Sequence, residues 1–460
     1  MPIINKIVST FGDHTSLVPM LFKDAVNSTG MTAFAYDNGG KKEGKDKFID
    51  EFGTMAIWIG GIPFFKGVVD KTLYKAAKLD PKADIRLIAD KDQLSIAQKY
   101  AEKLSDKSFS KSLTDAAKNK QFTKNMFYSR FVISTALTLG AFFALVQFRQ
   151  NYTKKQVEKE FWANKAKEKA FKENIANSMA FKGFLPENQN SSKSSMSLNK
   201  TNNNKKHLSF GSVTTALQGF MFDPVRNMLI TEVGITGQRL GTARPGTEFA
   251  EYGIKEGGFL LFMYAIGRYV QSGMEKLSEK YFKRPIELHA QAIAAPELKE
   301  AMKSGKLLKD VEEFKAISGT NKGIYEFVYS DKNAGNTVIQ AAKNSEIIKV
   351  VKDNPDVINP KQYINPETMK KLSNNLEKLS KSAVESGLSL DEFLKSTAKF
   401  KTGSVAANIG VSCLFLGVGI PLAMREYRKK KNGNKEFQVE NDIRERLENN
   451  FKAQQTNIKA

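Results

Sequence analysis

The chain of 460 residues is 41% hydrophobic and 26% charged, which excludes a globally disordered polypeptide and leaves room for about two to four domains. Its 71 Lys and Arg against 49 Asp and Glu give a net charge of +22; this points to an anionic partner, lipid or nucleic acid, although Lys/Asn-rich coding alone produces the same excess. The single cysteine, Cys413, excludes an intramolecular disulfide framework and a multi-thiolate metal site, and its apolar surroundings read as those of a small buried hydrophobe.

The start, MPIINKIVSTFGDHTSLVPM, lacks an apolar core of signal-peptide length and reads as an uncleaved, weakly amphipathic segment. The first apolar stretch, 52–69, carries Lys66 near one end and Pro63 beside Gly60 and Gly61. About eight strong apolar residues contribute on the order of −0.3 to −0.6 kcal/mol each, while a central lysine costs about 2.5 to 3.5 kcal/mol, so insertion is marginal. A charge near the end snorkels to the interface, and a re-entrant path stays open. A lysine-rich loop, 71–130, leads to Phe131–Phe148, an uncharged run long enough to span a bilayer. Arg149, Lys154 and Lys155 follow at once as an interfacial basic cluster, and Phe171, Ile175 and Met179 mark an amphipathic helix beyond it.

Residues 183–206, rich in Asn, Ser and Lys, read as a linker. The Gly-rich stretch GITGQRLGTARPGTEF, 234–249, reads as a loop in which Arg239 and Arg244 are candidate anion or headgroup ligands. The apolar stretch 257–273 holds Arg268 where 52–69 holds Lys66. The loop 274–404 is large enough to fold as a helical domain. In it Asn365 and Pro366 start a helix whose Met369, Leu372, Leu376, Leu379 and Ala383 share one face, a second helix is expected around 296–314, and GIYEFVYSDKNAGNTVIQ reads as a β-hairpin. A second uncharged span, Val405–Met424, runs into Arg425, Arg428, Lys429 and Lys430. The final helix, with Val439, Ile443, Leu447 and Phe451 on one face among mixed charges, suits a partner or self-packing.

These stretches echo each other. Gly30-Met31-Thr32, Glu51-Phe52-Gly53, Lys66, Pro81 and Arg149 recur in order as Gly234-Ile235-Thr236, Glu251-Tyr252-Gly253, Arg268, Pro285 and Arg425. The expected fold is therefore mainly α: an integral membrane protein of two duplicated helical-hairpin units, 1–182 and 207–460, with helical extramembrane loops. The positive-inside rule places both termini and the linker in the cytoplasm and loops 71–130 and 274–404 on the far side.

The chain has no GxSxG, P-loop, HExxH or EF-hand loop, and its three histidines, His14, His207 and His289, lie far apart in sequence; neither a cofactor nor a metal is expected. The expectation is a non-enzymatic, multi-pass protein of a bacterial inner membrane that organises or tethers through its basic clusters and amphipathic helices. Its partners would be anionic lipid and a protein, or a second copy, on the C-terminal helix, with nucleic acid not expected. Two other classes stay open: a transporter or channel whose path is lined by Lys66 and Arg268, and a lipid- or phosphate-handling enzyme using Arg239 and Arg244.

Overall fold

The computed structural model describes residues 10–11, 17–178, 224–244, 248–433 and 438–459, and these are almost wholly helical. The linker 183–206, Met179, His14 and His207 lie outside the described residues. Helix α1 (Val18–Val69) has a proline in its first turn, where the missing N–H loses no bond, and continues through a π-helical turn, Asp70–Tyr74. At Gly40, with φ 72° and ψ −163°, it breaks into two arms, a conformation that glycine adopts without a Cβ penalty. Short helices α2 (Ile85–Ala89), α3 (Lys91–Lys103) and α4 (Ser108–Lys118) lead to α5 (Lys120–Ser178). After α6 (Pro224–Gly241), α7 (Glu248–Leu260) joins α8 (Gly267–Phe282) through a second π-helical turn.

The contacts fix the direction of each helix. The second arm of α1 runs antiparallel to α5: Asp70 meets Arg130 at 2.5 Å, Gly61 faces Thr138, Gly53 faces Leu145, and Asp46 accepts from Thr153 Oγ1 at 2.5 Å. In the second half, α7 and α8 run antiparallel to α15 (Leu390–Leu414) and α16 (Ile420–Asn432), with Glu251 on Arg428, Phe262 stacked on Phe415 and Glu275 on Lys401. The remaining arms cross over. The first arm of α1 lies parallel to α15–α16, with Lys23 on Asn408, Gly30 against Gly417 and Phe34 under Arg428. Likewise α6 lies parallel to α5, with Gly234 against Leu139 and the Thr242 carbonyl bonded by Gln150.

Among the described residues three helices are long and apolar enough to cross a membrane: Val18–Tyr74, Lys120–Phe171 and Leu390–Lys431. They contain the expected stretches 52–69, 131–148 and 405–424. The fourth, 257–273, is helical throughout but is not among the three.

Beyond one end of the bundle both long loops fold into a single helical domain. Its core joins Ile88, Leu94 and Leu113 from the first loop to Leu298, Phe314 and Leu376 from the second. Polar links seal the join: Tyr325 donates to Asp90 at 2.8 Å, Lys361 to Asp80 at 2.8 Å, and the Ile358 N–H to the Tyr100 hydroxyl at 3.2 Å. In α14 (Pro366–Glu385), the Asn365 side chain accepts from the N–H groups of Glu367 and Thr368, and Met369, Leu372, Leu376 and Leu379 are buried, as the sequence pattern predicts. The helix expected around 296–314 is two, α10 (Pro296–Lys303) and α11 (Lys306–Ile317), separated by Gly305 at φ 70°.

Two expectations are corrected. The expected hairpin is helix α12 (Asn321–Val328), a 3-10 turn and α13 (Thr337–Asn344), because Thr320 and Asn336 cap both helices and Ile324, Tyr325, Phe327 and Val328 are buried on one side. The two short strands lie further on, pairing Val350 with Ile358. The N-terminal side of α1 starts at the loop-domain end, where Phe11 packs with Val405, Ile409 and Ala290 of the short helix α9 (Ala290–Ile293), and not at the end bearing the basic clusters.

Asp310 ties α11 to α13. Its Oδ2 accepts from the Thr337 N–H at 2.7 Å, the Thr337 hydroxyl at 2.6 Å and Lys306 Nζ at 2.7 Å. Burial raises its pKa, but the Lys306 and Thr337 hydrogen bonds outweigh burial and hold it below the usual carboxylate value. A depressed folded pKa contributes stability above the unfolded value that is lost as pH falls through the folded one. Asp310→Asn is expected to lose about 1–3 kcal/mol and that acid-side dependence, read as faster amide exchange across 337–344.

Candidate functional site

Two stripes of charge face each other across the bundle, immediately before the apolar stretches 52–69 and 257–273. The second arm of α1 presents Glu43, Asp46, Lys47, Asp50 and Glu51, and α7 presents Glu248, Glu251, Tyr252, Lys255 and Glu256, all buried. Both sets have the spacing i, i+3, i+4, i+7, i+8, which places five side chains on one helical face. Arg149 from α5, Arg239 from α6, Arg244 just beyond it and Arg428 from α16 complete the layer.

Each guanidinium joins elements. Arg149 meets Asp50 at 3.1 Å, Asp46 at 3.7 Å and Glu248 at 3.5 Å. Arg428 meets Glu43 and Glu251, both at 2.7 Å, gripping Glu251 through Nε and Nη2. Arg239 bonds Glu256, Asp50 at 3.2 Å and Thr54 at 2.8 Å. Arg244 bonds Glu248 at 2.7 Å and Asp46 at 3.0 Å, and Lys255 bridges Glu51 at 2.7 Å and Glu256 at 3.1 Å. The Tyr252 ring lies within 5.2 to 5.9 Å of Lys47, Arg149 and Arg239, whose charges its π face attracts. Charge removed from water is tolerated when paired in this way.

The expected site residues fall into three groups. Arg239 and Arg244 come together, Arg239 on a helix and not in the expected loop, Arg244 in the non-helical segment just beyond it, and carboxylates occupy both. Of the basic clusters, Arg149 and Arg428 point into the bundle, Arg425 is half-buried, and Lys154, Lys155, Lys429 and Lys430 are exposed. Lys66 and Arg268 lie on the exposed outside of their helices. Apolar periodicity does not reveal the carboxylate stripes; the same 3-4-3-4 spacing in charged residues marks both.

Comparison adds no identity. No protein-family model matches the chain, and it matches neither a curated protein nor a solved structure.

From the layer a polar track continues toward the loop domain. Asp24, Asn27, Ser28 and Thr32 on the first arm of α1, and Thr231 and Glu232 on α6, are buried. Further along, Lys23 donates to Asn408 at 3.0 Å, Asn408 to Gln271 at 2.8 Å and Gln271 to Glu275 at 3.1 Å, and Lys401 closes the chain on Glu275 at 3.0 Å. The track therefore runs from Arg149 and Arg428 at one end to Glu275 and Lys401 at the other. Buried ionisable and hydrogen-bonding groups strung in this way are of the kind that relays protons or ions in membrane interiors.

Proposed function

We propose that the chain is an integral, multi-pass protein of a bacterial inner membrane, made of two duplicated units, that moves a small ion or charged solute along the polar interface between them. The observation that carries this reading is the buried ionisable track through a bundle whose three long helices each hold an apolar stretch of spanning length. Such groups are rare in membrane interiors and mark transport paths. The path proposed is this interior track, not Lys66 and Arg268.

Reciprocity supports the duplication. Arg149 binds Asp46 of its own half and Glu248 of the other; Arg428 binds Glu251 of its own half and Glu43 of the other. Equating Glu43 with Glu248 also equates Asp46 with Glu251 and Gly53 with Gly258, each glycine packed on the last long helix of its unit, at Leu145 and Ile420. This register lies five residues away from the Glu51–Glu251 echo. Gly30 and Gly234 mark the two crossings, each first arm leaning on the other unit's last helix.

Full-length protein in liposomes should pass protons or alkali cations under an imposed gradient and resist alkaline carbonate extraction from native membranes. In a Cys413→Ser background, reporter cysteines at Lys99 and Glu326 should label from outside intact cells, and one at Asn449 only after lysis. Release by carbonate would end the integral reading, and tight liposomes without flux would end the transport one. A tethering role is the second reading, favoured by the exposed Lys154, Lys155, Lys429 and Lys430, which suit an anionic leaflet. It predicts binding to anionic vesicles and no flux. Against a lipid-handling enzyme, an anion at Arg239 or Arg244 would have to displace buried carboxylates.

A further inference from the structure

Two carboxylates on the track stand apart from the paired layer. Asp24 and Glu232 are 8% and 4% exposed, come from first arms of different halves, and have no ion-pair or hydrogen-bond partner among the described residues. Met20 and Met31, on the arm that carries Asp24, share one core cluster with Met228 and Ile235, on the helix that carries Glu232, so both carboxyls enter the same packed interior, and Asp24 acts electrostatically on Glu232. The neighbouring cations are already committed: Arg239 to Asp50 and Glu256, Lys255 to Glu51 and Glu256. Lys23, next to Asp24 in the chain, turns its ammonium to Asn408. The carboxylates of Glu51 and Glu256 also act on Asp24, and that of Glu256 on Glu232; Tyr264 lies in the field of both, and its hydroxyl is buried without a partner.

A second observation points to what is missing. Asn27 and Ser28, each 1% exposed, stand one turn from Asp24 on the same helical face, and Asn27 Oδ1 and Ser28 Oγ have no hydrogen-bond partner. A carbonyl oxygen accepts only, so a carboxylate cannot satisfy Asn27 Oδ1, whereas a carboxylic acid O–H can. Of two unpaired carboxyls in one dry interior, keeping one protonated is favoured over burying two like charges.

We infer that Asp24 and Glu232 form an exchangeable proton-binding site at the junction of the two halves, holding one proton at a time, which Asp24 when protonated presents to Asn27. The inference deepens, and in its role rests on, the transport reading: a proton taken from water at one face would lower the pair's charge from two to one and be released at the other face with no other bond changed.

The test uses full-length protein in liposomes and infrared difference spectra between mildly acidic and mildly alkaline pH, alongside proton flux read by an internal dye. The wild type should give a carboxylic C=O band that disappears in Asp24→Asn/Glu232→Gln, with loss of flux. Glu232→Asp, which keeps the acid, should shift the band, a response that a misfolded variant would not mimic. A band unchanged in the double variant, or a response to sodium at fixed pH with no such band, would overturn the site. A band without flux leaves the site standing and removes transport; flux that survives the double variant removes the site alone.

Discussion

Arg428→Leu is expected to destabilise the protein by about 3–5 kcal/mol, as unfolding free energy in bicelles, because it leaves a fully buried carboxylate without its cation. Glu43 is 0% exposed, and Arg428, at 2.7 Å, is its ion-pair partner. Arg149→Leu should do less harm although Arg149 touches three carboxylates. Asp46 and Glu248 keep Arg244, and Asp50 keeps Arg239. Arg428→Lys should fall between, since an ammonium cannot reproduce the two-pronged contact with Glu251. The decisive variant is the double one. Arg428→Leu with Glu43→Gln removes one stranded charge and should recover part of the loss; a double variant no more stable than Arg428→Leu would mean that the damage comes from Glu251, which Arg428 also holds, or from lost packing against Phe34, and not from Glu43.

What was legible in the sequence was local. The Asn365 cap, the apolar face of α14 and the apolar runs 131–148 and 405–424 depend on residues within a few turns of each other, and they fold as those residues dictate. Features set by partners distant in sequence were not legible. Nothing near residue 90 announces that Leu94 and Leu113 share a core with Leu298 and Phe314, about two hundred residues on. A lone charge in an apolar run does not disclose its rotational phase: Lys66 and Arg268, which line the path in the transporter alternative, are exposed, while Gln271, one turn past Arg268, faces Asn408. The glycines of 234–241 suggest a loop but lie in a helix, and of them Gly234 makes a close approach, on α5. The basic clusters were read as one kind of residue, but burial separates Arg149 and Arg428 from the lysines: the cations facing inward are those that meet carboxylates there, and the planar guanidinium can hold two at once.

Gly30 and Gly234 occupy matching places at the two crossings, yet alanine should affect them unequally. A Cβ at Gly30 would overlap the Gly417 carbonyl oxygen and come within 2.8 Å of its Cα, and backbone cannot swing aside as a side chain can. The first arm of α1 must then move off the π-helical turn Phe415–Gly419, loosening the Lys23–Asn408 hydrogen bond on one side and the Arg428–Phe34 stack on the other. At Gly234 the new carbon would meet only Leu139 Cδ2 at 3.0 Å, the end of a side chain with other rotamers. Overpacking of a close contact costs about 1–3 kcal/mol, so Gly30→Ala should lose at least that much and Gly30→Val more. Gly234→Ala should stay within about 0.5 kcal/mol of wild type, as substitutions without a core clash do. Because the carbonyl of Gly417 is the obstacle, no shortening of a neighbouring side chain should rescue Gly30→Ala, whereas Leu139→Ala should relieve whatever strain Gly234→Ala creates. Equal losses at the two glycines, or rescue of Gly30→Ala by Val26→Ala, would show that the first crossing is held by side chains and not by the backbone contact.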